Sequence, residues 1–250
     1  ISSCFAYGRV ELFKALVEKT LSIMGRSPHS FLMDFDIRKH ARLITFKYRF
    51  NDSSDIVCLL YLLNRLLVKH SSLRDAFMEH YTPDDLNTGN SISGFINEIM
   101  SIDTSGVYGR NIRPRGLIQF FPSPQKGSAC KRINLFLRWM IRDRDIDLGI
   151  WQGIPKNKLV IPLDTHIAKI SRCLGLTKRS SPDWKAAVGI TEALKLFDPE
   201  DPLKYDFALC HHGISGMCKG DNIKKRRSGG THQHCNSVCE KCVFNGFAAH

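Results

Sequence analysis

Apolar residues recur at helical spacing along most of this chain, and that periodicity constrains its fold more than any other feature. The segments 11–24 and 55–70 repeat apolar side chains three or four positions apart, as one face of an α-helix requires. Similar patterns occupy residues 128–142 and 164–175. Only residues 42–50 alternate in the manner of a short strand. The sequence therefore predicts an all-α fold.

The composition is that of an ordinary globular protein. The chain has 250 residues, of which 43% are apolar and 24% charged, so it can bury a core and need not be disordered. No stretch reaches the roughly 18 apolar residues of a membrane span, so we expect no membrane partner and a cytoplasmic location. A polar, turn-rich stretch at 82–94 predicts a lobe boundary. We therefore expect lobes at 1–90 and 91–202, followed by a terminal segment at 203–250.

The positive charge is concentrated in two windows. The formal net charge is +12. Residues 109–144 contain nine basic residues and one acidic residue, and residues 219–250 contain six basic and two acidic ones. These two windows carry the whole excess. Clustered positive charge favours a nucleic acid partner, whereas charge that serves only solubility is normally spread over the surface.

Four cysteines crowd the C-terminal segment: Cys218, Cys235, Cys239 and Cys242. Convergent thiolates are typical of a zinc or iron–sulfur site, and His232 or His234 could replace one of them. A disulfide is the weaker interpretation, because nothing indicates secretion. The other five cysteines lie in helical patterns and are predicted to be small buried apolar residues.

Two residues could carry chemistry, although each also has an ordinary explanation. Asp164 stands at a predicted helix start, where an Asp is usually only a cap, but a carboxylate held there also suits a cationic transition state. Lys131 lies near the start of a basic helix expected from Ser128, and a lysine there would ordinarily contact phosphate or be a solvated charge. Its amine becomes a nucleophile only where burial or neighbouring cations keep it neutral.

Taken together, these residues resemble the helix-hairpin-helix DNA glycosylase superfamily, the group of endonuclease III. Residues 161–175, Ile-Pro-Leu-Asp-Thr-His through Cys-Leu-Gly, resemble its V-D-T-H-V…R-L-G segment, whose Asp is catalytic. Residues 208–242 resemble its terminal helix and four-cysteine iron–sulfur loop. The segments 5–10, 126–140 and 204–208 are similar to an uncharacterised, largely bacterial branch. The resemblance implies a two-lobed helix-hairpin-helix fold with a C-terminal cysteine loop.

The chain departs from endonuclease III in two places. Its hairpin, roughly L-P-G-V-G-x-K-T-A, is replaced by residues 122–131, and the interval from Lys131 to Asp164 is longer. A longer interval is similar to the archaeal 8-oxoguanine glycosylase branch, which makes Lys131 the nucleophile and Lys126 the fallback. Arg138 lies where that branch keeps a second basic residue. The longer first cysteine gap leaves zinc as an alternative to a 4Fe-4S cluster.

The resemblance implies a monomeric, prokaryotic, nucleoid-associated DNA glycosylase with AP lyase activity. Its substrate would be double-stranded DNA with an oxidised purine, 8-oxoguanine above all, flipped out of the stack. Asp164 would stabilise the sugar cation, and Lys131 would attack C1′ to form a Schiff base. The residues expected to contact DNA are Lys126, Gly127, Ser128, Arg132, Arg138, Arg142, Trp151 and His166.

Two of these expectations have stated alternatives. Trp151 could stack on the flipped base, but core packing explains a tryptophan at that position equally well. The whole scaffold could also serve a non-catalytic, structure-specific DNA-binding protein. An RNA-binding module is disfavoured, because no aromatic-rich RNP motif occurs in the sequence.

Overall fold

The computed structural model describes residues 1–214, and its regular structure there is helical. The helices are α1 Ser2–Phe5, α2 Val10–Met24, α3 Pro28–Met33, α4 Ile37–His40, α5 Ser53–His70, α6 Leu73–Met78, α7 Gly89–Ser101, α8 Ser105–Tyr108, α9 Arg115–Phe120, α10 Lys131–Ile141, α11 Thr165–Cys173, α12 Trp184–Lys195 and α13 Asp206–Ile214. Four 3-10 turns join them, at Ala41–Leu43, Pro124–Lys126, Lys156–Lys158 and Pro202–Tyr205. The all-α prediction is confirmed for these residues. None of their helices is both long and apolar enough to cross a bilayer.

The strand predicted at residues 42–50 is wrong. This segment has only an isolated bridge, in which Tyr48 and Asn51 exchange backbone hydrogen bonds of 2.8 and 2.9 Å. The alternation is expressed only in part: Ile44 and Tyr48 are buried, but Phe50 is 65% exposed. A strand also needs a neighbouring strand to satisfy its backbone groups, and no other segment of residues 1–214 supplies one.

The described residues divide into two compact units, the first ending at Lys126 and the second beginning at Gly127. This division does not coincide with the predicted boundaries at residues 90 and 202. Residues 91–126 belong with the first unit because their backbone and side chains bond to it. The Asn51 side-chain amide donates to the Gly116 carbonyl at 2.6 Å, and the Tyr108 hydroxyl donates to Asp55 at 2.8 Å. The described part of the terminal segment likewise packs within the second unit, where α13 contacts α11.

Helix α5 forms the centre of the first unit. It matches the apolar pattern predicted for residues 55–70, and a capping box at Asp52 and Asp55 begins it. Helices α3, α6, α8 and α9 pack against it. Its buried apolar side chains include Ile56, Leu59, Leu62 and Leu66, so α5 is buried on most of its circumference, as a central helix must be.

The second unit is built around α11, α12 and α13. Its core combines the extended segment 160–163 with one apolar face from each helix, and includes Val160, Ile161, Leu163, Ile167, Ile170, Ala187, Ile190, Leu194 and Leu209. Helix α12 begins at Trp184, with Asp183 as its N-cap. The extended segment leads directly into Asp164, so core packing determines where that carboxylate lies.

Candidate active site

Lys131 and Asp164, which sequence reasoning paired across 33 positions, form an ion pair. The Lys131 ammonium nitrogen lies 3.0 Å from Oδ2 of Asp164. The Lys131 side chain is 36% exposed and that of Asp164 is 15% exposed. The pair therefore lies at the surface of the second unit, where a molecule from solution can reach the amine.

Asp164 is held by the helix that it begins. It is the N-cap of α11, and its Oδ1 accepts the backbone N–H groups of His166 and Ile167, both at 2.9 Å. The predicted capping role is confirmed. The two carboxylate oxygens are thus divided between tasks: Oδ1 satisfies the helix N-terminus, and Oδ2 faces the lysine. The positive end of the helix also favours the ionised carboxylate.

Lys131 is positioned by an irregular turn. The 3-10 turn Pro124–Lys126 leads to Gly127 at φ 77°, and the backbone N–H of Trp184 donates to the Gly127 carbonyl at 3.0 Å. Cys130 is left-handed at φ 51° and is the N-cap of α10. The helix expected from Ser128 therefore begins only at Lys131, because a left-handed residue cannot continue a right-handed helix. The lysine becomes the first residue of α10.

Asp206, to which sequence reasoning assigned no role, is a third charged group near this pair. It is the first residue of α13, only 4% exposed, and its Oδ2 accepts a hydrogen bond from Arg138. Its Oδ1 has no hydrogen-bond partner among the described residues. The pKa of Asp206 is raised to about 6, chiefly by burial; the Asp164 carboxylate adds to the rise, and Arg138 and Lys131 oppose it. The one sequence feature that marked Asp206 is that it lies in segment 204–208, which is similar to the uncharacterised bacterial branch.

Arg138 and Arg142, predicted to contact DNA, are buried and fully engaged with carboxylates. Both guanidinium groups bond to Asp147, whose side chain has no exposed surface. Arg142 also forms a two-pronged pair with Asp201, with N–O distances of 2.8 and 2.9 Å. The prediction that these arginines bind phosphate is therefore corrected: their charge neutralises an internal network of aspartates.

A third arginine of the basic window is also structural. The Arg113 guanidinium donates to the backbone carbonyls of Met100 and Ile102, at 2.8–2.9 Å and 2.7 Å respectively. Arg110, Arg115, Lys126 and Arg144 are exposed. The positive charge that residues 109–144 present at the surface is accordingly smaller than the sequence suggested, because several of their arginines are buried or bonded to groups of the protein.

The remaining predicted DNA contacts have different environments. Gly127 and His166 are exposed, and Arg132 is half-buried. Ser128 is half-buried, and its hydroxyl accepts the backbone N–H of Cys130 at 3.2 Å. Trp151 is only 8% exposed and packs edge-to-face on Phe136 with ring centroids 5.2 Å apart. The base-stacking expectation for Trp151 is corrected, because its ring belongs to the interior.

The cysteines divide into two groups. The predicted ligands Cys218, Cys235, Cys239 and Cys242 lie outside the described residues. Cys58 and Cys130 are buried, as expected of small apolar residues, while Cys4, Cys173 and Cys210 are half-buried. Burial raises the pKa of the Cys130 thiol to about 12 and also raises the pKa of the Cys210 thiol. Neither thiol is therefore a ready nucleophile, although both lie near Lys131.

Comparison with known proteins identifies the family. No curated protein and no solved structure matches the chain. The profile of a family described as a protein of unknown function, DUF2400, matches residues 1–215. Those residues include Lys131, Asp164, Arg138 and Asp206, and they end before the four C-terminal cysteines. The chain therefore belongs to the DUF2400 family.

Proposed function

We propose that this protein is a DNA glycosylase with AP lyase activity that removes an oxidised purine, 8-oxoguanine above all, from double-stranded DNA. The observation that carries the proposal is the 3.0 Å pair between Lys131 and Asp164 at the start of two helices. An amine and a carboxylate in contact, both reachable from solution, supply the two groups that such a reaction needs. The resemblance to the helix-hairpin-helix glycosylases names the same two residues.

The chemistry begins with a proton transfer. Lys131 must lose its proton before it can attack, and Oδ2 of Asp164 lies at hydrogen-bond distance to receive that proton. The amine nitrogen then bonds to C1′ of the flipped nucleotide. The glycosidic C1′–N bond breaks, and its electron pair leaves with the base. The base takes up the proton that Asp164 received from Lys131, so the Asp164 carboxylate is ionised again. Asp164 stabilises the positive charge that develops on the sugar.

Strand scission follows from the same lysine. Ring opening at C1′ converts the adduct to a Schiff base between Lys131 and the sugar. Loss of a proton from C2′ then breaks the C3′–O bond, and the 3′ phosphate leaves with the electron pair. Water finally releases Lys131. The Lys131 amine acts first as the nucleophile, and the protonated Schiff base then acts as the electron sink for the elimination. The activity therefore depends on a lysine that is not permanently buried in an ion pair.

The buried arginines support this site indirectly. Arg138 holds Asp206, whose unpartnered oxygen is electrostatically coupled to Asp164 and Lys131. Backbone N–H groups of the turn at Gly127 and Ser128 would hold phosphate. The four C-terminal cysteines suit a 4Fe-4S cluster or Zn²⁺, and such a group would act as a structural staple. The reaction would take place on nucleoid DNA in a prokaryotic cytoplasm.

Borohydride trapping tests the proposal. Wild-type protein and duplex DNA containing 8-oxoguanine are incubated with borohydride, which reduces a Schiff base to a stable adduct seen as a slower band on a denaturing gel. We expect an adduct with wild type, none with Lys131→Gln, and much slower formation with Asp164→Asn. Lys126→Gln serves as the matched control, because it removes an exposed lysine of the same turn.

Two outcomes would contradict the proposal. If Lys131→Gln forms as much adduct as wild type while Lys126→Gln forms none, the nucleophile is Lys126. If wild type binds the duplex tightly and salt-dependently but forms no adduct on any oxidised base, the protein is a non-catalytic DNA-binding member of the same scaffold.

A further inference from the structure

A second cluster of ionisable groups lies in the first unit and takes no part in the proposed reaction. His70 ends α5, Glu79 and His80 follow α6, and Glu98 lies on α7. The His70 side chain is 2% exposed and that of Glu98 is 11% exposed. Burial of ionisable groups is costly, so they are expected to be paired or to coordinate a metal.

The imidazole of His70 meets a carboxylate at each of its two nitrogens. Nδ1 lies 3.0 Å from Oε1 of Glu79, and Nε2 lies 2.5 Å from Oε1 of Glu98. A neutral imidazole carries one N–H, so it can donate to only one of these carboxylates. The other nitrogen presents a lone pair to an oxygen lone pair. A second proton or a metal ion at that position would make both contacts favourable.

Glu98 is well suited to act as a ligand. Lys69 Nζ and His70 Nε2 lie 2.6 and 2.5 Å from its Oε1, so this oxygen is already placed among N–H groups. Its second oxygen, Oε2, lies 2.8 Å from Nε2 of His80. Such outer hydrogen bonds orient the carboxylate ligands of metal sites.

The backbone of α7 is adapted to the His80 ring. A Cβ atom at Gly94 would lie 2.8 Å from two ring atoms of His80, so any side chain there would displace the imidazole. Gly94 is one helical turn before Glu98 and therefore on the same face of α7. Glu98 also lines a surface cleft of about 320 Å³ together with Lys69 and Ser101. An ion from solution can approach Glu98 through that cleft.

We infer that His70, Glu79 and Glu98 form a binding site for a divalent transition-metal ion, with Zn²⁺ as the representative. One donor atom from each of the three residues lies within 4.8 Å of the other two. Zinc bonds of about 2.0–2.2 Å place donors roughly 3–3.5 Å apart. A single ion would therefore bind one ring nitrogen of His70, and the carboxylate that contacts the other nitrogen would have to rotate toward it. Imidazole and carboxylate ligands suit zinc and its neighbours in the series. Metal binding would displace the proton between His70 and its carboxylate partner.

Metal content measured on the full chain tests this site. We expect wild type to retain one more equivalent of Zn²⁺ than His70→Gln or Glu98→Gln after equilibrium dialysis against buffered Zn²⁺. Glu18→Gln is the matched control, because Glu18 is an exposed carboxylate outside the cluster. Co²⁺ substitution separates this site from the cysteines. Thiolate ligands give intense near-ultraviolet charge-transfer bands, and those bands should be unchanged in the two cluster variants.

Lys69→Met provides a variant that keeps all three proposed ligands. The Lys69 ammonium lies 2.6 Å from Oε1 of Glu98 and competes with a metal for that oxygen. Its removal should tighten Zn²⁺ binding at least threefold, to order of magnitude. Equal Zn²⁺ content in wild type, His70→Gln and Glu98→Gln would overturn the site. If those two variants do not fold, unchanged or weaker binding by Lys69→Met would overturn it.

Discussion

The two ends of helix α10 use basic residues in opposite ways. At its first residue, Lys131 is 36% exposed and faces one oxygen of one carboxylate. At its other end, the side chains of Arg138 and Arg142 are 6% and 3% exposed and share a group of aspartates. Both ends contain ion pairs, yet only the first pair can be opened by a molecule from solution.

The difference shows why burial decides what a charged residue can do. Charges removed from water pay a large desolvation cost, so a buried arginine is useful only while its partners stay in place. A half-exposed lysine exchanges its partner for water at little cost, because surface ion pairs are weak. The proposed chemistry therefore uses the N-terminal end of α10, whereas the C-terminal end contributes to stability. Four substitutions test that division through the free energy of unfolding.

The largest effect is expected from Arg138→Met. The change leaves Asp206 and one oxygen of Asp147 buried without a cationic partner, so the free energy of unfolding should fall by about 3–5 kcal/mol. Equilibrium denaturation with urea measures the loss. Arg144→Met is the control, because the Arg144 side chain is 75% exposed and should change stability by less than about 0.5 kcal/mol. A loss below about 1 kcal/mol for Arg138→Met would remove the distinction between the two ends.

The next largest effect depends on pH and concerns Asp206. Its pKa in the folded protein is raised from 3.8 to about 6, so the folded state binds the proton more tightly than the unfolded state. The resulting stabilisation is complete below pH 3.8 and is lost as pH rises through about 6. Wild type should thus lose about 2–3 kcal/mol relative to Asp206→Asn over that interval. Parallel stability curves for the two proteins would contradict the raised pKa.

A smaller effect is expected from Gly127→Ala. Gly127 has φ 77°, so an alanine there should cost about 1–2 kcal/mol of backbone strain. A Cβ at this position would meet no protein atom within 4 Å, so no steric clash adds to that cost. Thermal unfolding measures the strain. If the turn approaches phosphate as proposed, affinity for duplex DNA should fall by more than tenfold, and unchanged affinity would exclude that approach.

Lys131→Gln should have the smallest effect on stability. The pair with Asp164 is partly exposed, and Asp164 keeps its two backbone hydrogen bonds, so the loss should stay below about 1 kcal/mol. Urea denaturation of the variant used for trapping measures it. Loss of the covalent adduct together with unchanged stability would sharpen the contrast between the ends of α10. A loss comparable to that of Arg138→Met would instead make Lys131 a structural residue.

The sequence could predict what depends on local chemistry. Asp164 was recognisable because an N-cap is decided within four residues, and the apolar patterns of α2 and α5 needed no knowledge of distant contacts. The start of α10 was predicted three residues too early, because the residue type does not indicate that the Cys130 backbone is in the left-handed conformation. Local sequence patterns therefore predicted the helices and Asp164, one of the two residues of the candidate site.

The sequence could not predict which residues far apart in the chain contact each other. Arg138 and Trp151 are residue types that commonly contact DNA. Only the fold shows that Arg138 bonds to Asp206 and that Trp151 packs on Phe136. The same limit explains why the cluster at His70 was missed, since its members are up to 28 positions apart. Burial is a property of the assembled unit, so basic residues of one helix cannot be sorted from composition alone.

The hydrogen bonds of Asp164 fix the side from which the candidate site can be approached. A carboxylate that rotates freely offers two equivalent oxygens and can serve a reacting group on either side. At Asp164 the backbone N–H groups of His166 and Ile167 hold Oδ1 in place, so rotation about the Cβ–Cγ bond would break two hydrogen bonds. Only Oδ2 remains available, and it points in one direction. In the proposed reaction, a sugar ring would therefore have to approach Asp164 from the side of Oδ2.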